Sequence, residues 1–180
     1  MSSTTNVIQS KRRPSAKDFG IAAQTGNLKE LEDLFQQRPN FWSVLIPAKA
    51  AKRDDLQLLK YLYEKAVSFQ VSMILEKSTF ASAATVGNLE ILKWLKDRGT
   101  PWDHRTLLNA IIAGKNIDWL LENGAPSNGR VYYEAKIRGL HDLAERLKDP
   151  TKPARYYSAY IRTRRRKLAK KRIDSKASNQ

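Results

Sequence analysis

The chain has 180 residues, enough for one domain with tails, and 41% of them are hydrophobic, enough to build a core. It has no cysteine, which excludes a disulfide framework or a thiolate metal site, and no run reaches the ~18 apolar residues of a membrane span. Lys plus Arg outnumber Asp plus Glu by 33 to 18, a net charge of +15, and the excess sits at the two ends. Residues 1–17 hold four basic side chains and no acid, and residues 151–180 hold eleven against Asp174 alone. The body between them, 18–150, is nearly neutral at +1. Such asymmetry points to a polyanionic partner or a nuclear address, with a merely solvated tail as the plain alternative. The N-terminus lacks the apolar core of a secretory signal, so the expected location is intracellular, with nuclear or particle-associated sites open.

In chain order, residues 1–17 read as a basic flexible arm. Lys11-Arg12-Arg13-Pro14-Ser15 puts two arginines ahead of a serine, the pattern of a basophilic kinase substrate. Ser15 is therefore a candidate phosphorylation site, where a phosphate would reduce the local positive charge. From residue 18 a thirteen-residue phrase recurs, at 22–34, 50–62 and 83–95. Each copy opens on an alanine pair: Ala22-Ala23, Ala50-Ala51, Ala83-Ala84. Alanine pairs favour helix and let another helix approach closely. Each copy ends on leucines three apart (28, 31, 34; 56, 59, 62; 89, 92, 95), which predicts a helix with one apolar face.

Between the two halves stand Gly26-Asn27 and Gly87-Asn88, a left-handed turn residue followed by a helix cap. The middle copy has Asp54-Asp55 there, so its turn is expected to be less relaxed. Two weaker units follow, around 107–124 and 132–147. The third leucine position falls at 34, 62, 95, 120 and 147, an irregular period. The predicted fold is all-α, a short elongated solenoid of about five helix-turn-helix repeats over 18–150.

Over that span the chain resembles ankyrin repeats. The family's second-half phrase, Ala-Ala-x-x-Gly-x-Leu with a later Leu and Gly, is matched well at 83–99. The run from Gly87 to Leu95, with Gly99-Thr100-Pro101-Trp102-Asp103 after it, is similar to the divergent ankyrin repeats of giant DNA viruses of amoebae and some protists. The family's first-half Thr-Pro-Leu-His is not kept: 78–81 reads Ser-Thr-Phe-Ala and 105–108 reads Arg-Thr-Leu-Leu. The resemblance implies a protein-binding scaffold, with the short inner hairpins poorly formed. A helical-hairpin array outside the ankyrin family remains open from the residues alone.

No catalytic residue, metal site or cofactor is expected. His104 and His141 are far apart in sequence, and there is no nucleophile motif or phosphate-binding glycine loop. Trp94 and Trp119 hold matching slots in successive helices and read as packing between units. Trp42 and Trp102 fall in connecting loops, and His104 lies at a junction; these three are the candidate protein-binding residues.

The tail, 151–180, has no Gly or Pro between Arg155 and Arg172, so a partial helix is allowed. Tyr157, Ile161 and Leu168 share one helical face, and docking on the last repeat to about Ile161 would free the basic end. The candidates to contact nucleic acid or a nuclear importer are Arg162, Arg164, Arg165, Arg166, Lys167, Lys170, Lys171 and Arg172. Tyr156, Tyr157 and Tyr160 are candidates to stack on bases. An acidic protein or a membrane surface fits the same charge. The expected function is a non-enzymatic interaction scaffold with a polyanion-binding tail and no small-molecule substrate. The alternative is a structural component of a viral particle or ribonucleoprotein, its tail threaded between neighbours.

Overall fold

The computed structural model describes residues 12–72, 74–149, 151, 152, 157, 158, 161–163 and 166. Among these residues ten α-helices have described bounds, the tail residues 157, 158, 161–163 and 166 are also helical, and no strand is formed. They are α1 (Ala16–Thr25), α2 (Leu28–Gln37), α3 (Leu45–Arg53), α4 (Leu56–Ser68) and α5 (Lys77–Val86). The rest are α6 (Leu89–Asp97), α7 (His104–Ala113), α8 (Ile117–Glu122), α9 (Gly129–Ile137) and α10 (His141–Arg146). Consecutive helices pair into five hairpins, and the first helices α1, α3, α5, α7 and α9 pack on one another in that order.

The turn inside each hairpin follows from local chemistry. Gly26, Asp54, Gly87 and Gly114 take φ of 73°, 70°, 80° and 68°, the left-handed conformation that ends the first helix. The side chains of Asn27, Asp55 and Asn88 then accept backbone N–H groups at the start of the second helix. Gly87 has a further reason to be glycine. A Cβ there would lie 2.3 Å from the Lys115 side chain of the next hairpin. Asp54 bears a side chain in the same left-handed region while exposed to solvent, so its turn carries steric strain.

The alanine pairs act as the sequence suggests. Ala22, Ala23, Ala50, Ala51, Ala83, Ala84, Ala110 and Ala135 are all essentially solvent-free, which lets the first-helix backbones come close. The second helices stand further apart and are bridged by long side chains. Phe35 meets Phe69 at 5.4 Å between ring centroids, and Tyr63 meets Trp94 at 5.5 Å. An exposed Arg146–Asp118 pair at 2.9 Å links α10 to α8 and contributes little stability.

The leucine triplets pack differently from expectation. Leu31 and Leu34, Leu59 and Leu62, and Leu92 and Leu95 are buried, but Leu28 is 47% exposed and Leu56 and Leu89 are only half-buried. Residues spaced i, i+3, i+6 fan across ~120° of a helix with 3.6 residues per turn, so one member leaves the core. The core face is completed instead by Phe35, Leu58 and Ile91. The inter-hairpin connections contain no strand among the described residues. Thr79 and Thr106 are fully buried in the first helices, their hydroxyls without a hydrogen-bond partner among the described atoms.

Both ends of the array are closed by chain outside the hairpins. At the start, α1 begins at Ala16, before the expected edge of the arm, and residues 12–15 are tied down. The Arg38 guanidinium donates to the buried Pro14 carbonyl at 2.6 Å and lies over the Phe41 ring. The Ser15 N–H and hydroxyl both donate to the Asp18 carboxylate, at 2.7 and 2.8 Å, and Arg12 pairs with it at 2.7 Å. The Ser15 backbone and side-chain bonds, with Arg12, hold the Asp18 carboxyl down to about 2. At the far end Tyr157 is buried, its ring 4.5 Å from that of Tyr132, its hydroxyl accepting the Asp149 N–H. Ile161 packs beside it against the core.

Three outcomes follow from this packing. Asp54→Gly should raise stability by about 1 kcal/mol in urea denaturation by relieving the left-handed strain, while Gly87→Ala should lower it. Tyr157→Ala should cost about 3 kcal/mol, and Tyr157→Phe about 1 kcal/mol, because the phenylalanine keeps the ring and loses the hydroxyl that accepts the Asp149 N–H. Asp18 should titrate near pH 2 by NMR, and Ser15→Ala should raise that midpoint. Because the folded value lies below the ordinary carboxylate value, this contribution is present above about pH 4 and is lost as pH falls toward 2.

Candidate interaction surface

The loop aromatics, expected to be partly exposed, are half-buried against the hairpin stack. Trp102 is half-buried on Phe80, 4.8 Å between centroids, with Lys96 Nζ 5.7 Å from its ring. Trp42 is half-buried against the core, its indole N–H enclosed without a partner among the described atoms. Trp94 packs on Tyr63 of the preceding hairpin, and Trp119 packs against the core. His104 is the first residue of α7 and half-buried; it follows the cap Asp103, whose carboxylate takes the Arg105 N–H at 2.9 Å. The Asp103 carboxyl is held below the ordinary range: burial opposes this, but its bonds from Arg105 and the charges of Arg105 and His104 outweigh it.

Ser15 is the N-cap of α1, and its hydroxyl is engaged by Asp18 rather than displayed on an arm. A phosphate there would stand beside that carboxylate. Of the tail candidates, Arg162 and Arg166 are exposed. Tyr157 is not available to stack on a base, because Tyr132 and the α9–α10 hairpin cover its ring. Tyr156, Tyr160, Arg164, Arg165, Lys167, Lys170, Lys171 and Arg172 lie outside the described residues. Among the described residues, no group of three His, Asp or Glu side chains is placed to hold a metal ion, and no helix is long and apolar enough to cross a membrane.

A feature missed at the level of sequence emerges when charge is sorted by helix. The five first helices carry eight basic and two acidic residues; the five second helices carry six basic and ten acidic. The near-neutral body is thus a polarised array, +6 on the row of first helices and −4 on the row of second helices.

The basic row presents a regular surface. Aligned on the turn residue, each first helix exposes or half-exposes its positions i, i+4 and i+7, which share one face. In α1 these are Lys17, Ile21 and Gln24, and in α3 Leu45, Lys49 and Lys52. In α5 they are the small polar Ser78, Ser82 and Thr85. In α7 they are Arg105, Asn109 and Ile112, and in α9 Arg130, Glu134 and Ile137. Glu134 is the sole carboxylate of this set, and Arg138 Nε binds it at 2.8 Å. Large aliphatic side chains stand open among the cations: Ile21 is 46%, Leu45 50%, Ile112 46% and Ile137 54% exposed.

The signal was present in the sequence only as a register. Each helix spells the face with different residues, so no repeated word marks it. Counting back nine, five and two residues from Gly26, Asp54, Gly87, Gly114 and Gly139 recovers it. Comparison of the chain with protein-family models, with curated proteins and with solved structures finds no match in any of the three.

Proposed function

We propose that this chain is a non-enzymatic, ankyrin-like protein-interaction scaffold whose basic C-terminal tail contacts nucleic acid or a nuclear importer. The observation that carries it is the sorting of basic charge onto the row of first helices, where Ile21, Leu45, Ile112 and Ile137 also stand open, while Leu28, Val67 and Leu140 are the open aliphatic side chains of the other row. A stack of hairpins gains nothing from exposing isoleucines beside lysines, and that composition suits a surface that another protein covers. The ankyrin assignment rests on the paired alanines, the left-handed turn residue, the capped second helix and the stacked first helices, which together match the family's second-half phrase.

The tail leaves the array from a fixed point. Tyr157 and Ile161 hold its start against the last hairpin, so Arg162 and Arg166 project from that end. Basic side chains carried this way bind phosphates by releasing counterions, with little sequence preference.

Removing residues 162–180 tests the tail. With a mixed-sequence single-stranded oligonucleotide followed by fluorescence anisotropy, the full chain should bind with log K falling steeply against log salt, by about 0.7 for each phosphate contacted. The truncated chain should lose that binding at moderate salt. Unchanged binding with a flat salt dependence would remove the polyanion role.

A further inference from the structure

We infer that the exposed stripe of the first helices is a docking site for an acidic protein segment that also carries apolar side chains. The inference rests on the scaffold reading above and names its partner class.

The electrostatics come first. Lys17, Lys52, Lys77 and Arg130 are exposed, and none lies within ion-pair distance of a carboxylate among the described residues. Cations on one row of helices, with acids gathered on the other row, hold a positive field on one side of the array. That field is complementary to carboxylates or phosphates and repels a basic partner.

The aliphatic side chains decide between those two anions. Ile21 and Leu45 lie among Lys17, Lys49 and Lys52 at one end of the stripe. At the other end Ile112 and Ile137 lie two turns along from Arg105 and Arg130, with Arg105 paired to Asp103 at 3.0 Å and Glu134 to Arg138 at 2.8 Å, so Arg130 is the unpaired cation there among the described residues. Phosphate backbones offer nothing to cover four half-exposed aliphatic side chains, whereas Leu or Ile on a peptide does. Nucleic-acid surfaces of single-strand binders add aromatic stacking platforms, and none of the fifteen stripe positions is aromatic. Between these two ends α5 presents only the small side chains of Ser78, Ser82 and Thr85; the Ser78 hydroxyl is enclosed without a partner among the described atoms, and the Thr85 hydroxyl donates to the Ala81 carbonyl at 3.0 Å, so this stretch is low and adds no charge. Five helices at 8–10 Å between axes span about 35 Å, the reach of roughly 11 extended residues.

The experiment uses the full chain and three twelve-residue peptides. One alternates Asp/Glu with Leu/Ile. One replaces its acids by Asn/Gln. One keeps the acids and replaces Leu/Ile by Ser. The first should bind, and each control should bind at least tenfold more weakly. In the chain, Lys49→Gln with Lys52→Gln, and separately Ile112→Ser with Ile137→Ser, should each weaken the first peptide about tenfold. These positions are exposed or half-exposed, so unchanged circular dichroism and thermal midpoint should accompany the loss. Arg162→Gln with Arg166→Gln should leave peptide binding intact while weakening the oligonucleotide. That difference keeps failure of the stripe distinct from failure of the tail.

The inference is overturned if the acid–apolar peptide fails to bind or if only the tail variant weakens it. An oligonucleotide that shifts the NMR signals of Ile112 and Ile137 would assign the stripe to nucleic acid instead. Self-association of the chain that the stripe variants abolish would assign it to a second copy.

Discussion

The whole architecture depends on how closely the first helices can approach. Alanine at two consecutive positions removes the side-chain bulk that would hold two helix backbones apart. Ala22-Ala23, Ala50-Ala51 and Ala83-Ala84 are consequently enclosed almost completely. The second helices have no such small pair. Their separation is filled by Phe35, Phe69, Tyr63 and Trp94, which span the wider gap with large rings. Close packing on one row and wide packing on the other fixes which side of each first helix is free: the side away from both the neighbour and its own second helix.

That free side is where the charge matters. With alanine and large apolar residues committed to the core, each first helix leaves a narrow face for solvent, and basic residues outnumber acidic ones on it. The second helices have a broader solvent face and carry the acids. The two rows nearly cancel in the sum over the body, so an even composition conceals a polarised object. The ends are shaped by the same need to cover a terminal hairpin. Pro14 with Arg38 at one end, and Tyr157 with Tyr132 at the other, seal faces that an interior hairpin would bury against its neighbour. Tyr157 is thereby a capping residue and not a platform for bases, and the basic tail begins from an anchored position.

Much of the fold was legible. Gly26 and Gly87 had to take the left-handed turn, Asn27 and Asn88 had to cap what followed, and Asp54-Asp55 reproduces both roles at some conformational cost. The leucine triplets were legible as helix but not as core, because a three-residue spacing drifts around the helix and Leu28 ends in solvent. The loop tryptophans are legible only in part. A loop position says that backbone is near the surface, not that a ring points outward, and Trp102 turns back onto Phe80. The stripe was hardest to see, since Lys17, Leu45, Ser78, Arg105 and Arg130 share a position while differing in residue type, with only three of the five basic.

The sequence by itself determined the helical hairpins, their turns and caps, the absence of thiol chemistry and the basic termini. Each of these follows from residues near one another in the chain, through backbone sterics, capping and net charge. Only the tertiary structure decided which faces were spent on packing and which were left over. That division depends on contacts between hairpins some thirty residues apart, such as Asn116 to the Gly87 carbonyl and Asn109 to that of Ala81. Such contacts set the register that lines up five unlike stripes as one surface. A sum over the chain cannot contain that information, because charge acquires a direction only when the helices bearing it are placed side by side.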